Sequence, residues 1–115
     1  EVAARLDALG LPPGLASGLG QVSREEVLAR IAAADALIYP SLTESFGLPL
    51  IEARAAGTAI IAAERDYVRD VCTPAETFDP LSARSIADAV RRFARSPRPL
   101  VRPVDAAAFV EALFA

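Results

Sequence analysis

Two glutamates, Glu44 and Glu52, stand in the stretch "YPSLTESFGLPLIEARAAG" with Gly47 and Pro49 between them. Leu48 to Ala56 predicts a helix stopped by Gly57. Ser45 is placed to cap it, and Pro49 fits the first turn, where its missing N–H costs little. A helix start exposes backbone N–H groups and carries roughly half a positive charge. It therefore suits a phosphate, and Gly47 removes the side chain that would block close approach. Glu44 lies in the loop just ahead of that start, and Glu52 a turn or so inside the helix. Carboxylates accept hydrogen bonds strongly, and sugar hydroxyls donate them. One carboxylate on each side of a phosphate site suits a nucleoside diphosphate sugar. On spacing alone a plainer alternative keeps the greater weight: an acid drawn to a helix start by the dipole, in an ordinary loop.

The elements that would position this stretch alternate. Residues 1 to 9 predict a helix with Val2, Leu6 and Leu9 on one face and Gly10 as its stop. "LASGLGQV", 15 to 22, reads as a short strand weakened by two glycines. "SREEVLARIAAA" opens with Ser23 as N-cap and Glu26 three residues on, a capping box, with Val27, Leu28 and Ile31 as its buried stripe. "ALIYP", 36 to 40, and "TAIIAA", 58 to 63, are short apolar runs expected as buried strands. "RDYVRDV" predicts a short helix and "ETFD" a short strand. Residues 82 to 95 predict a helix capped by Ser82, with Ile86, Val90, Phe93 and Ala94 on one face. A Pro-rich linker, 97–104, leads to a final helix, 105–114, with Phe109, Leu113 and Phe114 apolar. Strands alternating with helices predict an α/β fold: a parallel sheet of about four strands flanked by helices. In such folds ligands sit beyond the carboxyl ends of the strands, where the Glu44–Glu52 stretch falls.

Composition narrows the chemistry. The 115 residues suffice for one small domain, and 53% are hydrophobic, so a packed core is expected. Net charge is -3, and all twelve basic residues are scattered arginines. That argues against a nucleic-acid partner, which needs a basic face. With no His and the single Cys72, a conventional zinc site and a Ser-His-Asp triad are excluded within these residues. The lone cysteine fits a reducing, cytoplasmic setting. No apolar run approaches the roughly 20 residues that span a bilayer, and the opening "EVAARLDALG" reads as an amphipathic helix rather than a signal peptide. Arg65, Arg69, Arg91, Arg92 and Arg95 read as solvated helix faces, with Asp88 placed to pair with Arg91 or Arg92. Cys72 reads as a small buried residue and Tyr39 as core.

"ADALIYPSLTESFGLPLIEARAAGTAIIA" closely resembles the signature of family-4 (group 1) retaining glycosyltransferases of the GT-B fold. The pattern PS-x-x-E-x-F-G-x-P-x-x-E-A-x-A-x-G is met by Pro40, Ser41, Glu44, Phe46, Gly47, Pro49, Glu52, Ala53, Ala55 and Gly57. The flanking pieces "GLGQVSREEVLARIAAADAL", "DYVRDV", "FDPLSARSIADAVRRF" and "RPVDAAAFVEALFA" also look like the family, although the usual "SW" of the closing helix is missing. Arg54 and "GTAI" depart from the common form, away from the expected ligand contacts. The resemblance implies a Rossmann-like unit, 1–115, forming part of the C-terminal donor-binding half of a GT-B hexosyltransferase. Such an enzyme moves a sugar from a nucleotide-diphosphate-sugar donor to an acceptor with retention and without a metal or cofactor. Glu44 is then the catalytic-site residue that binds the transferred sugar, and Glu52 binds the ribose. Backbone N–H groups near Ser45, Phe46, Gly47 and Leu48 meet the sugar and diphosphate. The turn at Gln21, Val22 and Ser23 lies by the base.

The same resemblance implies parts outside these residues: a glycine-rich turn with an Arg and a Lys that neutralise the diphosphate, and an acceptor-binding N-terminal domain. The expectation is a chain that is inactive alone and binds donor weakly. The acceptor class, whether glycan, lipid or small molecule, is left open, as is a peripheral site at the inner face of the membrane for the full-length enzyme. The strand at 36 to 40 is expected to leave a bare edge, through which a homodimer could form. Two other classes stay in view: a non-catalytic α/β interaction module, which would need paired acids and a nearby Lys, and a sugar-nucleotide epimerase of the same fold.

Overall fold

The computed structural model describes residues 2–43 and 47–96. Glu44, Ser45 and Phe46, the expected linker 97–104 and the expected helix 105–114 lie outside those residues. The elements in order are α1 (Val2–Ala8), α2 (Arg24–Ala33), β1 (Ala36–Tyr39), α3 (Leu48–Ala56), β2 (Ala59–Ala63), α4 (Asp66–Val71), β3 (Glu76–Phe78) and α5 (Ala83–Arg95). The strands form one parallel sheet in the order β1-β2-β3. Ala36 lies opposite Ala59 and Tyr39 opposite Ala62, while Ile61 lies opposite Glu76 and Ala63 opposite Phe78. The fold is the α/β, Rossmann-like architecture expected from the alternation, with three strands among the described residues rather than about four.

Alternation of side chains along each strand feeds two faces. On one, Leu37, Tyr39, Ile60 and Ala62 pack with Ile31 of α2, Leu50 and Ala53 of α3, and Tyr67, Val68 and Val71 of α4. On the other, Ala36, Ile61, Ala63 and Phe78 pack with Ile86, Ala89, Val90 and Phe93 of α5. Every residue of β2 after Ala59 is buried, as its apolar run requires. Between α2 and α3 the contact is made by Leu28, Ala32 and Ala56, small enough to bring the two helices close. On the outer side of β1, Ile38 is 45% exposed. It borders a groove of about 470 Å³ lined by Ala36, Ile61, Val90 and Phe93, because α5 covers β2 and β3 but stops short of β1.

The strand expected at 15–22 does not form. Gly20 has φ 66°, outside extended geometry, and Gly14 with φ 82° turns the chain just before the run. Leu15, Leu19 and Val22 are exposed, so nothing repays their ordering. Two smaller expectations also shift. Val27 is exposed, and Ala32 takes its place in the stripe of α2. Ala94 is exposed, and the buried seat of α5 is Ala89.

Helix ends are closed as their sequences require. Ser23 accepts from the Glu26 N–H at 3.1 Å. Glu26 pairs with Arg30 at 2.8 Å, one turn on, so only half of the expected capping box is recorded. Gly57, at φ 73°, ends α3 with its N–H on the Ala53 and Arg54 carbonyls, while the Thr58 N–H reaches Ala53 at 2.9 Å. Thr58 then joins two layers. Its buried hydroxyl donates to the Ile31 carbonyl at 2.7 Å, a C-terminal carbonyl of α2 that the helix itself cannot satisfy. Thr58→Val should cost about 1–3 kcal/mol, the scale of a buried carbonyl losing its partner, measured by urea denaturation.

Candidate functional site

Parallel strands in register place Tyr39, Ala63 and Phe78 along one edge of the sheet. The amino ends of α3, α4 and α5 follow these carboxyl ends. The start of α5 is closed by its own side chains: Ser82 accepts from the Ser85 N–H at 3.1 Å, and Ser85 accepts from Asp79 at 2.9 Å. The start of α3 differs. Its N-cap position is Gly47 in the left-handed region, φ 61° and ψ 41°, with no side-chain cap. The N-cap position is thus taken by Gly47, and the expected cap, Ser45, lies outside the described residues. The Gly47 carbonyl takes the Leu50 and Ile51 N–H groups at 3.0 and 3.2 Å. Pro49 offers no N–H. The Gly47 and Leu48 N–H groups have no protein acceptor among the described residues. A side chain at position 47 would meet Leu50 and Val71 at ordinary contact distances. Glycine is required there by the backbone angle, not by lack of space.

Glu52 sits on the second turn of α3, on the face it shares with Leu48. Its side chain is 11% exposed and lies 3.0 Å from the Arg24 guanidinium, measured Nη2 to Oε1. Arg24 opens α2 directly after Ser23. The pair thus brings the Gln21–Ser23 turn and Glu52 into one neighbourhood. Val22, on that turn, is 36% exposed, and Leu48 is 50% exposed, so apolar surface borders the acid. Sequence reasoning did not find Arg24: the two partners are far apart in the chain, and no local spacing links them.

One short helix, α4, lies beside the described residues that flank 44–46. The Tyr67 hydroxyl of α4 donates to the Ser41 carbonyl, and the Ser41 hydroxyl donates to the Thr43 carbonyl at 2.9 Å. One turn further along α4, Val71 lies 3.9 Å from the position a Gly47 Cβ would take. The Arg54 guanidinium of α3 donates to the Val71 carbonyl at 3.0 Å, holding the carboxyl end of α4 in place. The contact of Tyr67 was also missed in the sequence, since Ser41 lies far from it along the chain.

Nearby charges are neutralised among themselves. Glu64, following β2, accepts from Arg69 at 2.7 and 2.8 Å and from Thr77 at 3.2 Å. The Arg69 hydrogen bond holds its carboxyl below the usual carboxylate range. Arg91 pairs with Asp88 at 3.0 Å, and Arg92 with Glu76 at 3.2 Å. The arginines of α4 and α5 therefore form no single basic patch, as expected. Cys72 ends α4 with its thiol 3.4 Å from the Val68 carbonyl. Burial pushes that thiol up, away from nucleophilic use. Tyr39 is half-buried against the core. Among the described residues no group of three or more acidic or cysteine side chains is placed to hold a metal, and no helix is long and apolar enough to cross a membrane.

Tyr67→Phe should lower stability by about 0.5–1.5 kcal/mol, read by chemical denaturation. It should also speed hydrogen exchange at Leu42 and Thr43, while exchange in β2 is unchanged relative to the global stability.

Comparison with known proteins bears on this edge of the sheet. The chain is 36% identical over 85 residues to an MMP alpha-(1->4)-mannosyltransferase of Mycolicibacterium hassiacum, covering 70% of this chain and 21% of that protein. It is 32% identical over 85 residues to an O-antigen chain mannosyltransferase of Salmonella typhimurium, covering 73% and 24%. With a D-inositol 3-phosphate glycosyltransferase of a Nocardioides species it shares 43% identity over 77 residues, covering 62% and 16%. The chain spans about a fifth of the length of these curated relatives. No solved structure matches it. The family model described as glycosyl transferases group 1 matches residues 16–108, a span that takes in α2 through α5 and the whole sheet, and the chain belongs to that family.

Proposed function

We propose that this chain forms one wall of the donor site of a retaining hexosyltransferase, and that its donor is a nucleoside diphosphate sugar. The observation that carries the reading is the start of α3. It opens at the carboxyl edge of the sheet, has the Gly47 and Leu48 N–H groups without a protein acceptor among the described residues, and has the carboxylate of Glu52 one turn inside. N–H groups at a helix start bind phosphate oxygens, and they stabilise a departing diphosphate electrostatically without a metal. Glu52 accepts the ribose hydroxyls. Glu44, ahead of the helix, accepts hydroxyls of the transferred sugar and orients its anomeric carbon, and the backbone at Ser45 and Phe46 completes the contact. Val22 borders the base. Two of the relatives are named mannosyltransferases, so a mannosyl donor is the first to assay.

A helix start supplies only ~0.3–1 kcal/mol toward an anion at an exposed site. That is too little to hold a diphosphate without further cations. The chain alone is accordingly a weak donor binder and inactive. Transfer belongs to the full-length enzyme, in which an acceptor-binding domain faces this wall.

Calorimetry on the full-length enzyme separates the two carboxylates. Glu52→Gln should weaken nucleoside diphosphate and sugar nucleotide alike, by about 10–100-fold for a lost charged hydrogen bond. Glu44→Gln should weaken the sugar nucleotide while leaving the nucleoside diphosphate unchanged. Unaltered binding of both ligands in both variants would remove the reading.

A further inference from the structure

We infer that Arg24 is a positioning residue of the donor site: its guanidinium holds Oε1 of Glu52 and turns Oε2 toward the ribose. The inference rests on the reading of Glu52 as the ribose ligand. It starts from the position of Arg24 as the first residue of α2. A cation there opposes the helix dipole, which favours the acids found at Glu25 and Glu26. Helix formation gives no reason for an arginine at this place. Its contact does: Nη2 lies 3.0 Å from Glu52 Oε1.

The two partners differ in freedom. The Arg24 side chain is 63% exposed and the Glu52 side chain 11%. Glu52 is thus held by its surroundings, with the arginine reaching in from solvent. Oε1 is the carboxylate oxygen with a recorded partner, and no buried side-chain oxygen among the described residues lacks one. Oε2 therefore keeps access to solvent. A carboxylate has about four lone-pair sites across its two oxygens, so an arginine on one oxygen leaves the other to accept from a hydroxyl. Pairs with one exposed partner add little to stability. The consequence of this one falls on the direction of the carboxylate rather than on the fold.

The site also gains a link along the chain. Segment 10–22 has no helix or strand, and the path becomes regular where Ser23 caps α2. Arg24 attaches that first fixed point to α3. The turn bordering the base and the acid under the ribose are thereby set relative to one another.

The test uses Arg24→Gln, Arg24→Lys, Glu52→Gln and the Arg24→Gln/Glu52→Gln double variant of the full-length enzyme. Binding of ADP, GDP and UDP is measured by calorimetry alongside steady-state kinetics. Arg24→Gln should weaken the nucleoside diphosphate that binds wild type by about tenfold, the scale seen when a residue holding a ligand-binding side chain is lost. It should raise the donor KM by the same factor with kcat changed less than about twofold. Arg24→Lys should recover most of the loss, and Arg24→Gln should add nothing to Glu52→Gln. Wild-type binding by Arg24→Gln beside a weakened Glu52→Gln overturns the inference and leaves the ribose reading standing. An additive double variant overturns it too, since Arg24 would then act on the ligand independently. If Glu52→Gln itself binds normally, the ribose reading falls first.

Discussion

The molecule is organised by the burial of β2. Ile60 to Ala63 are covered from both sides, by α3 and α4 on one face and α5 on the other. A strand with no polar side chain along its length cannot face water on either side. Each flanking helix must therefore lie flat against it, with its amino end at the carboxyl edge of the sheet. The start of α3 acquires its exposure and direction from that requirement, and so does the register that sets Tyr39 opposite Ala62 and Ala63 opposite Phe78. A backbone site of this kind needs no special side chain at its centre. It needs the helix to be where the sheet puts it, and a glycine that bends the chain into it.

Around that opening the side chains serve different masters. Tyr67 and Val71 lie one turn apart on α4, the first bonded to the Ser41 carbonyl and the second beside Gly47, so a six-residue helix lies along the approach to α3. Glu64, Arg69 and Thr77 bind one another across β2, α4 and β3, which removes charge from the same edge. What stays open at the start of α3 among the described residues is backbone N–H, with Glu52 paired to Arg24 beside it.

Legibility in the sequence followed the range of the interaction. The helix Leu48–Ala56 was readable to its last residue because Pro49 and Gly57 act within a turn of themselves. The caps Ser23 and Ser82 were readable for the same reason. Strand 15–22 was misread because its short run was given to a strand in spite of its two glycines, and Gly20 adopts a φ of 66°, outside extended geometry. Glu26 turned to Arg30 instead of completing its box, a choice between two local partners that spacing does not decide. The Arg24–Glu52 and Tyr67–Ser41 contacts join residues far apart along the chain. Nothing near either residue announces its partner, and only the packed helices bring them together. The family was legible through the density of the pattern around Glu44 and Glu52, and the arginine beside Glu52 was not.

The order β1-β2-β3 has one more consequence, for how the molecule is made. Each strand pairs with the next one synthesised: Ala36 with Ala59, then Ile61 with Glu76. The loops to be closed are short, each already filled by the helix that covers it, so little chain entropy is lost before contacts form. A ribosome delivering this segment can see β1 and β2 joined before β3 has emerged. Assembly can thus follow translation, and the half-built sheet spends little time with its most apolar strand bare.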